Sequence, residues 1–318
     1  MARRQTLSTA LLIALFLVPL TQLSHPSLAQ APTTPTPSPA APDFSTVEIK
    51  TEKVADGIYM LTGRGGNIGV SVGEDGVLLI DDQFGPLSDK IKAAVKALSD
   101  KPIRFVFNTH WHGDHVGGNE NFGKDGVVIV AQDNVRRRLS VDQVNKFSGN
   151  ITPALAHVAL PVLTFPDTAT FHMNGDSIVA VHVPPAHTDG DCIVRFTKAN
   201  VVHMGDCLFN GRYPVIDYSA GGSIDGMIRA ADIVLPTLGP DTKLIPGHGP
   251  LGDRAALERF RDMLKTVRGK VQPMVKSGKS LEQIVAARPT AALDSLWNAD
   301  TTAANRFVRV LVNGMRKK

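Results

Sequence analysis

Apolar positions in this chain repeat first with the two-residue period of strands and later with the period of helices. Residues 47–54 and 58–62 flank Asp56-Gly57, and residues 68–72 and 77–80 flank Glu74-Asp75-Gly76. Short alternating runs around such turns predict successive antiparallel strands. Pro86 then opens a helix whose Ile91, Ala94, Val95 and Leu98 share one face. A strand is expected over 103–107, another over 127–131, and a short helix over 134–139. Residues 141–162 are weakly patterned and read as loop or irregular helix.

The second half repeats this order. Strands are expected over 169–172, 177–183, 191–196, 201–204 and 243–245, with a helix after Ser223 that carries Ile224, Met227, Ile228, Ala231 and Leu235. Beyond Asp253 the pattern is helical throughout. Leu257, Phe260, Leu264, Val267, Val271 and Met274 form a stripe that Gly278 closes. Ser280 with Gln283 forms a capping box for a second helix, and a third runs over about 303–315.

Composition changes this picture mainly at the N-terminus. Arg3 and Arg4 precede an apolar run over 10–20, and Ser27-Leu28-Ala29 offers small residues for cleavage, so residues 1–29 read as a secretory signal peptide. A run of about eleven residues is too short to span a bilayer, which takes roughly 20. The expected location is therefore periplasmic or secreted, without stable membrane insertion after cleavage. Residues 30–43, rich in Pro and Thr, read as a disordered linker. A folded domain is expected over 44–252 and a helical segment packed on it over 253–318. The 318 residues are 43% hydrophobic, enough for one large core or two modest ones. Of the 34 basic residues two lie in the signal, and 32 against 30 acidic ones leaves +2, which excludes a nucleic-acid footprint.

The candidate chemistry lies in His110-Trp111-His112-Gly113-Asp114-His115, directly after the strand over 103–107. Imidazole nitrogens and carboxylate oxygens are the donors zinc takes in catalytic sites. On an extended chain His110 and His112 point to one side, while Asp114 and His115 point apart and could serve a second ion. Three later motifs also follow strands: Pro184-Pro185-Ala186-His187, Met204-Gly205-Asp206 and Pro246-Gly247-His248-Gly249. Two divalent ions held about 3.5–4 Å apart can lower the pKa of a shared water toward 7 and polarise a carbonyl or phosphoryl oxygen. No Gly-x-Ser-x-Gly sequence offers a serine nucleophile in their place.

In order and spacing these motifs resemble the metallo-β-lactamase-fold hydrolases, over about residues 47–249. The resemblance implies an α/β fold, a four-layer αββα sandwich with C-terminal helices, and metals in a cleft at one edge. It further implies His110, His112 and His187 as ligands of one ion, Asp114, His115 and His248 as ligands of the other, and Asp206 as a bridge. Asp81 would brace the histidine loop from behind, and Asp114 would also orient the attacking water and take its proton. Lactamases that use a cysteine place it where Asp206 stands and usually lack a histidine at the position of His115. Those that keep that histidine lack the bridging carboxylate. This chain has both, as glyoxalase II and lactonases do, and His112 argues against diiron relatives that carry Glu there.

The resulting expectation is an exported dinuclear zinc hydrolase of a small-molecule ester, thioester, lactone or amide. A β-lactamase with an atypical ligand set and a non-catalytic metal-binding module are the alternatives. Pocket walls are expected from residues 63–67, 141–162 and 209–222. Substrate, oligomeric state and a Cys192–Cys207 disulfide stay open. His157, His172, His182 and His203 carry no motif and read as structural or solvated.

Overall fold

The structure is a computed structural model that describes residues 43–316. The expected signal and all but the last residue of the linker lie outside the described residues. In chain order the elements are β1 (Lys50–Ala55), β2 (Ile58–Thr62), β3 (Ile68–Gly73), β4 (Gly76–Ile80), α1 (Ser88–Lys96), β5 (Ile103–Asn108), α2 (Gly113–Val116), α3 (Asn119–Lys124), β6 (Val128–Gln132) and α4 (Asp133–Leu139). There follow β7 (Gln143–Val144), β8 (Ile151–Thr152), β9 (Leu163–Phe165), β10 (Thr168–Met173), β11 (Asp176–His182), β12 (Cys192–Phe196) and β13 (Val201–Phe209). The chain continues through α5 (Ile224–Val234), β14 (Lys243–His248), α6 (Arg254–Lys276), α7 (Leu281–Ala286) and α8 (Thr301–Arg316).

The first sheet runs β1-β2-β3-β4-β5-β6-β9, antiparallel as far as β4 and parallel from there. The second runs β10-β11-β12-β13-β14, with β14 parallel to β13. The pleat alternates side chains between faces, and it sorts the apolar residues into layers. In β4, Leu78 and Ile80 point inward to meet Val194 and Phe196 of β12, while Val77 and Leu79 point outward onto Leu87, Ile91 and Val95. In β12, Ile193 faces the other way, into a core shared with α5, α6 and α8. Two sheets face each other with helices outside both, which is the four-layer αββα arrangement expected, and the C-terminal helices close the last layer. The stripe on α6 is buried, and the capping box at Ser280 is present.

Four local expectations are corrected. The histidine segment is not wholly loop, because Gly113–Val116 makes a helical turn. Residues 141–162, expected as loop or irregular helix, are mostly loop with a 3₁₀ turn at His157–Ala159, but also contain a small antiparallel hairpin, β7–β8, that was not expected. Strand β13 runs on to Phe209 instead of stopping at residue 204, because Gly205 takes a positive φ of 49° and lets the register shift without ending the strand. Strand β14 likewise extends to His248. Both cysteines are free and buried. Among the described residues no helix is long and apolar enough to cross a membrane.

Candidate metal centre

The first sheet delivers four donors and the second sheet three. His110 and His112 follow the end of β5 around a bend, and His112, its backbone extended, sits at the N-cap of α2. The helical turn then swings Asp114 and His115 round to the opposite side. His187 lies in the loop between β11 and β12, Asp206 on β13, and His248 at the last position of β14. All seven expected donors come together in the structure. Three groups of donor atoms lie within metal-holding reach: His110, His112 and His187; His110, His115 and Asp206; and Asp114, His115 and His248.

Asp206 stands between the two halves. Its Oδ2 lies 3.3 Å from His187 Nε2 and 3.9 Å from His110 Nε2. Its Oδ1 lies 3.2 Å from His115 Nε2 and 3.4 Å from His248 Nε2. Asp114 Oδ2 is 3.4 Å from His248 Nε2 and 3.8 Å from His115 Nε2.

Hydrogen bonds behind the rings fix which nitrogen faces the cluster. Asp81 accepts from the Thr109 amide at 2.7 Å, the Thr109 hydroxyl at 2.8 Å and His115 Nδ1 at 2.7 Å. Asp81 thereby ties Thr109 to His115, and it reaches this position with φ of 68°. Because the Thr109 hydroxyl proton goes to Asp81, its oxygen accepts from His110 Nδ1 at 3.1 Å. His187 Nδ1 donates to the Val215 carbonyl at 2.8 Å, and His112 Nε2 donates to Asp217 at 3.0 Å. The remaining nitrogens of His110, His112, His115 and His187 all open onto one space.

That space is short of partners. His110 Nε2, His115 Nε2 and Asp206 Oδ1 are buried without a hydrogen bond. His115 Nε2 and Asp206 Oδ1 are close enough to attract but are not aligned for a hydrogen bond. His112 Nδ1 and His187 Nε2 face each other at 2.7 Å. Since the other nitrogen of each ring is already a donor, two lone pairs meet there, and they require a proton or a cation between them. A buried donor set left unpaired is costly, and a divalent ion is the partner this chemistry accepts.

The ion-free titration behaviour agrees. Burial, with help from neighbouring imidazoles, holds His110 well below the usual range and His187 down to about 4. Burial works against charge on His115 and His248, but Asp206 and the other carboxylates outweigh it, holding His115 well above its usual value and His248 up to about 9. Burial would also raise Asp206 and Asp114. The surrounding histidines reverse this, holding Asp206 well below the carboxylate range and Asp114 down to about 2.

Several positioning residues are invisible to the motifs. Asp217 orients His112 while accepting from the Ser219 and Ala220 amides. Asp191 accepts from the His187 and Thr188 amides and shapes the His187 loop. Asn67 binds the carbonyls of Pro246 and Gly249 and ties the 63–67 loop to the His248 loop. Asp191 was legible only as the first residue of a strand, and Asp217 only as part of a pocket wall. His203 is buried against the Asn67 carbonyl and His182 bonds the Asp191 carbonyl, both outside the donor set. Cys207 is buried with its thiol pushed up by burial.

The sequence pattern of the metallo-beta-lactamase superfamily matches residues 61–248. The chain is similar to a lactamase-like protein, aptB, of Emericella nidulans, at 26% identity over 64% of this chain and 56% of that protein. It is also similar to a probable hydroxyacylglutathione hydrolase of Schizosaccharomyces pombe, at 28% identity over 48% of this chain and 52% of that one. The chain therefore spans about half the length of these relatives. Among solved structures, a metallo-beta-lactamase from Pontibacter korlensis superposes with a TM-score of 0.58 at 18% identity, covering 69% of this chain and 99% of that one.

Proposed function

The chain belongs to the metallo-beta-lactamase superfamily and is a metal-dependent hydrolase, and from that premise we propose an exported enzyme that uses two zinc ions to cleave an ester, thioester, lactone or amide. In this reading His110, His112 and His187 would hold the first ion and Asp114, His115 and His248 the second, with the Asp206 carboxylate available to both. The observation that carries it is the pair of opposed lone pairs on His112 and His187, with unpaired His110, His115 and Asp206 atoms beside it.

Two divalent ions, when bound, acidify a water and polarise the substrate oxygen. The protein's own groups do the rest. Asp81, Thr109, Asp217 and the Val215 carbonyl hold the imidazoles in the tautomers that present a lone pair. Asp114, less buried than Asp206, is the carboxylate placed at the mouth of the cluster to accept the proton of the attacking water. Asp206, behind it, keeps the two halves of the cluster in register.

Elemental analysis of the mature protein should find about two zinc ions per chain, the stoichiometry of a dinuclear site. Asp114→Asn should lower turnover by about 10² to 10⁴, the span for losing a general acid or base, on whichever substrate emerges from a screen of lactams, lactones, thioesters and esters. Asp206→Asn should lower metal content first and activity in consequence. A protein that takes up no metal ends the reading, and full activity in Asp114→Asn removes that residue's role. Export rests on the order of charged, apolar and small residues over 1–29. N-terminal sequencing of periplasmic protein should start near Gln30, and Met1 retained in the cytoplasm would contradict it.

A further inference from the structure

A cavity of about 570 Å³ leads from His112 to helix α8. Its walls are apolar at Phe147 of the β7–β8 turn, at Val215 and at Val310. The hairpin is held across the opening by the Lys146 amide, which donates to the Ser219 hydroxyl at 2.9 Å. Helix α8 buries Ala304, Phe307, Val308, Leu311 and Val312 in the core. Its opposite face, at helical spacing, presents Asn305, Arg306, Arg309 and Asn313 to the cavity.

The charge along this cleft is one-sided. Asp217 is the carboxylate on its wall, and that group is committed to His112 and to two main-chain amides. Arg309 has only a 3.8 Å approach to Glu282, and among the described residues no carboxylate lies within ion-pair reach of Arg306. An adjoining cavity of about 500 Å³ shares Arg306 and adds Arg212 together with Asp300, whose carboxylate accepts from the Ala303 amide at the start of α8. Guanidinium groups bind carboxylates in bidentate fashion, and these stand exposed over an apolar floor.

We propose that the cleft binds the part of the substrate remote from the scissile bond, and that this part is an apolar segment ending in a carboxylate held by Arg306 and Arg309. The proposal rests on the hydrolytic reading in placing the scissile bond at the histidine cluster. It makes the C-terminal helix a determinant of specificity as well as the closing layer of the fold.

The test is calorimetric titration of the zinc-loaded protein with glutarate, adipate, suberate and sebacate, each against the monocarboxylate of equal chain length. At least one dicarboxylate should bind about fivefold more tightly, the gain expected from partly exposed ion pairs. The variant R306Q/R309Q should lose that preference while keeping its melting temperature. Equal binding of the two series, binding of neither, or a preference that survives in R306Q/R309Q overturns the proposal. Should the double variant fail to fold, R306Q and R309Q singly must each reduce the preference. Zinc content measured on the same samples separates the two ideas: a chain without zinc breaks the hydrolytic reading, whereas a zinc-loaded chain without the preference breaks only this one.

Discussion

The chain orients two of its cluster histidines with carboxylates in opposite settings. Asp81 is fully buried, accepts three hydrogen bonds and holds an equally buried His115. Asp217 sits at the rim, where its partner His112 is about one-fifth exposed and opens onto the cavity that leads to α8. The inner brace is locked into the sandwich and the outer one belongs to a loop. A single motif thus contains a half built for permanence and a half that water and substrate can reach.

The sharpest way to break this contrast is Asp81→Asn. The amide gives up one acceptor and places an N–H₂ among donors, so the Thr109 and His115 bonds cannot all survive. Metal affinity should fall by about 100-fold, the upper end for an outer partner of a metal ligand, and calorimetric zinc titration measures it. Gly66→Ala probes the same region by shape. An added Cβ would lie 2.1 Å from the His115 ring, so the 63–67 loop must move, at about 1–3 kcal/mol. A lower melting temperature should accompany the loss of zinc. Asp217→Asn should do less, since its amide oxygen can still accept from His112 and the site borders water. The expected loss is about tenfold in zinc affinity. Equal losses for Asp81→Asn and Asp217→Asn would abolish the distinction between inner and outer braces. Gly113→Ala, inside the histidine motif itself, should leave stability within about 0.5 kcal/mol and metal content unchanged, because nothing lies within 4 Å of the added Cβ.

The difference between Gly66 and Gly113 also shows what was legible in the sequence. The donors were readable because metal chemistry restricts them to a few residue types at tight spacing, and their strands because burial on both faces of a sheet calls for short unbroken apolar runs. The two orienting acids that escaped notice, Asp191 and Asp217, sit in loops where no period exists, and their partners are 4 to 105 positions away in the chain. Gly205 misled the reading for a related reason. A glycine after an apolar run usually ends a strand, yet here it bends β13 and lets Asp206 enter the site. The residues 143–152 hairpin is too short and too polar for its alternation to register.

The division of donors between the sheets has a consequence for how the protein is made. His110, His112, Asp114 and His115 hang from one sheet, and His187, Asp206 and His248 from the other, up to 138 positions later in the chain. Contacts so distant in sequence form late, because loop closure must be completed before they contribute. Neither sheet alone can assemble all seven donors, so a nascent chain cannot complete the cluster before its sandwich has shut. Reactivity and completed folding therefore arrive together, and a seam that parts even briefly switches off the chemistry it was holding.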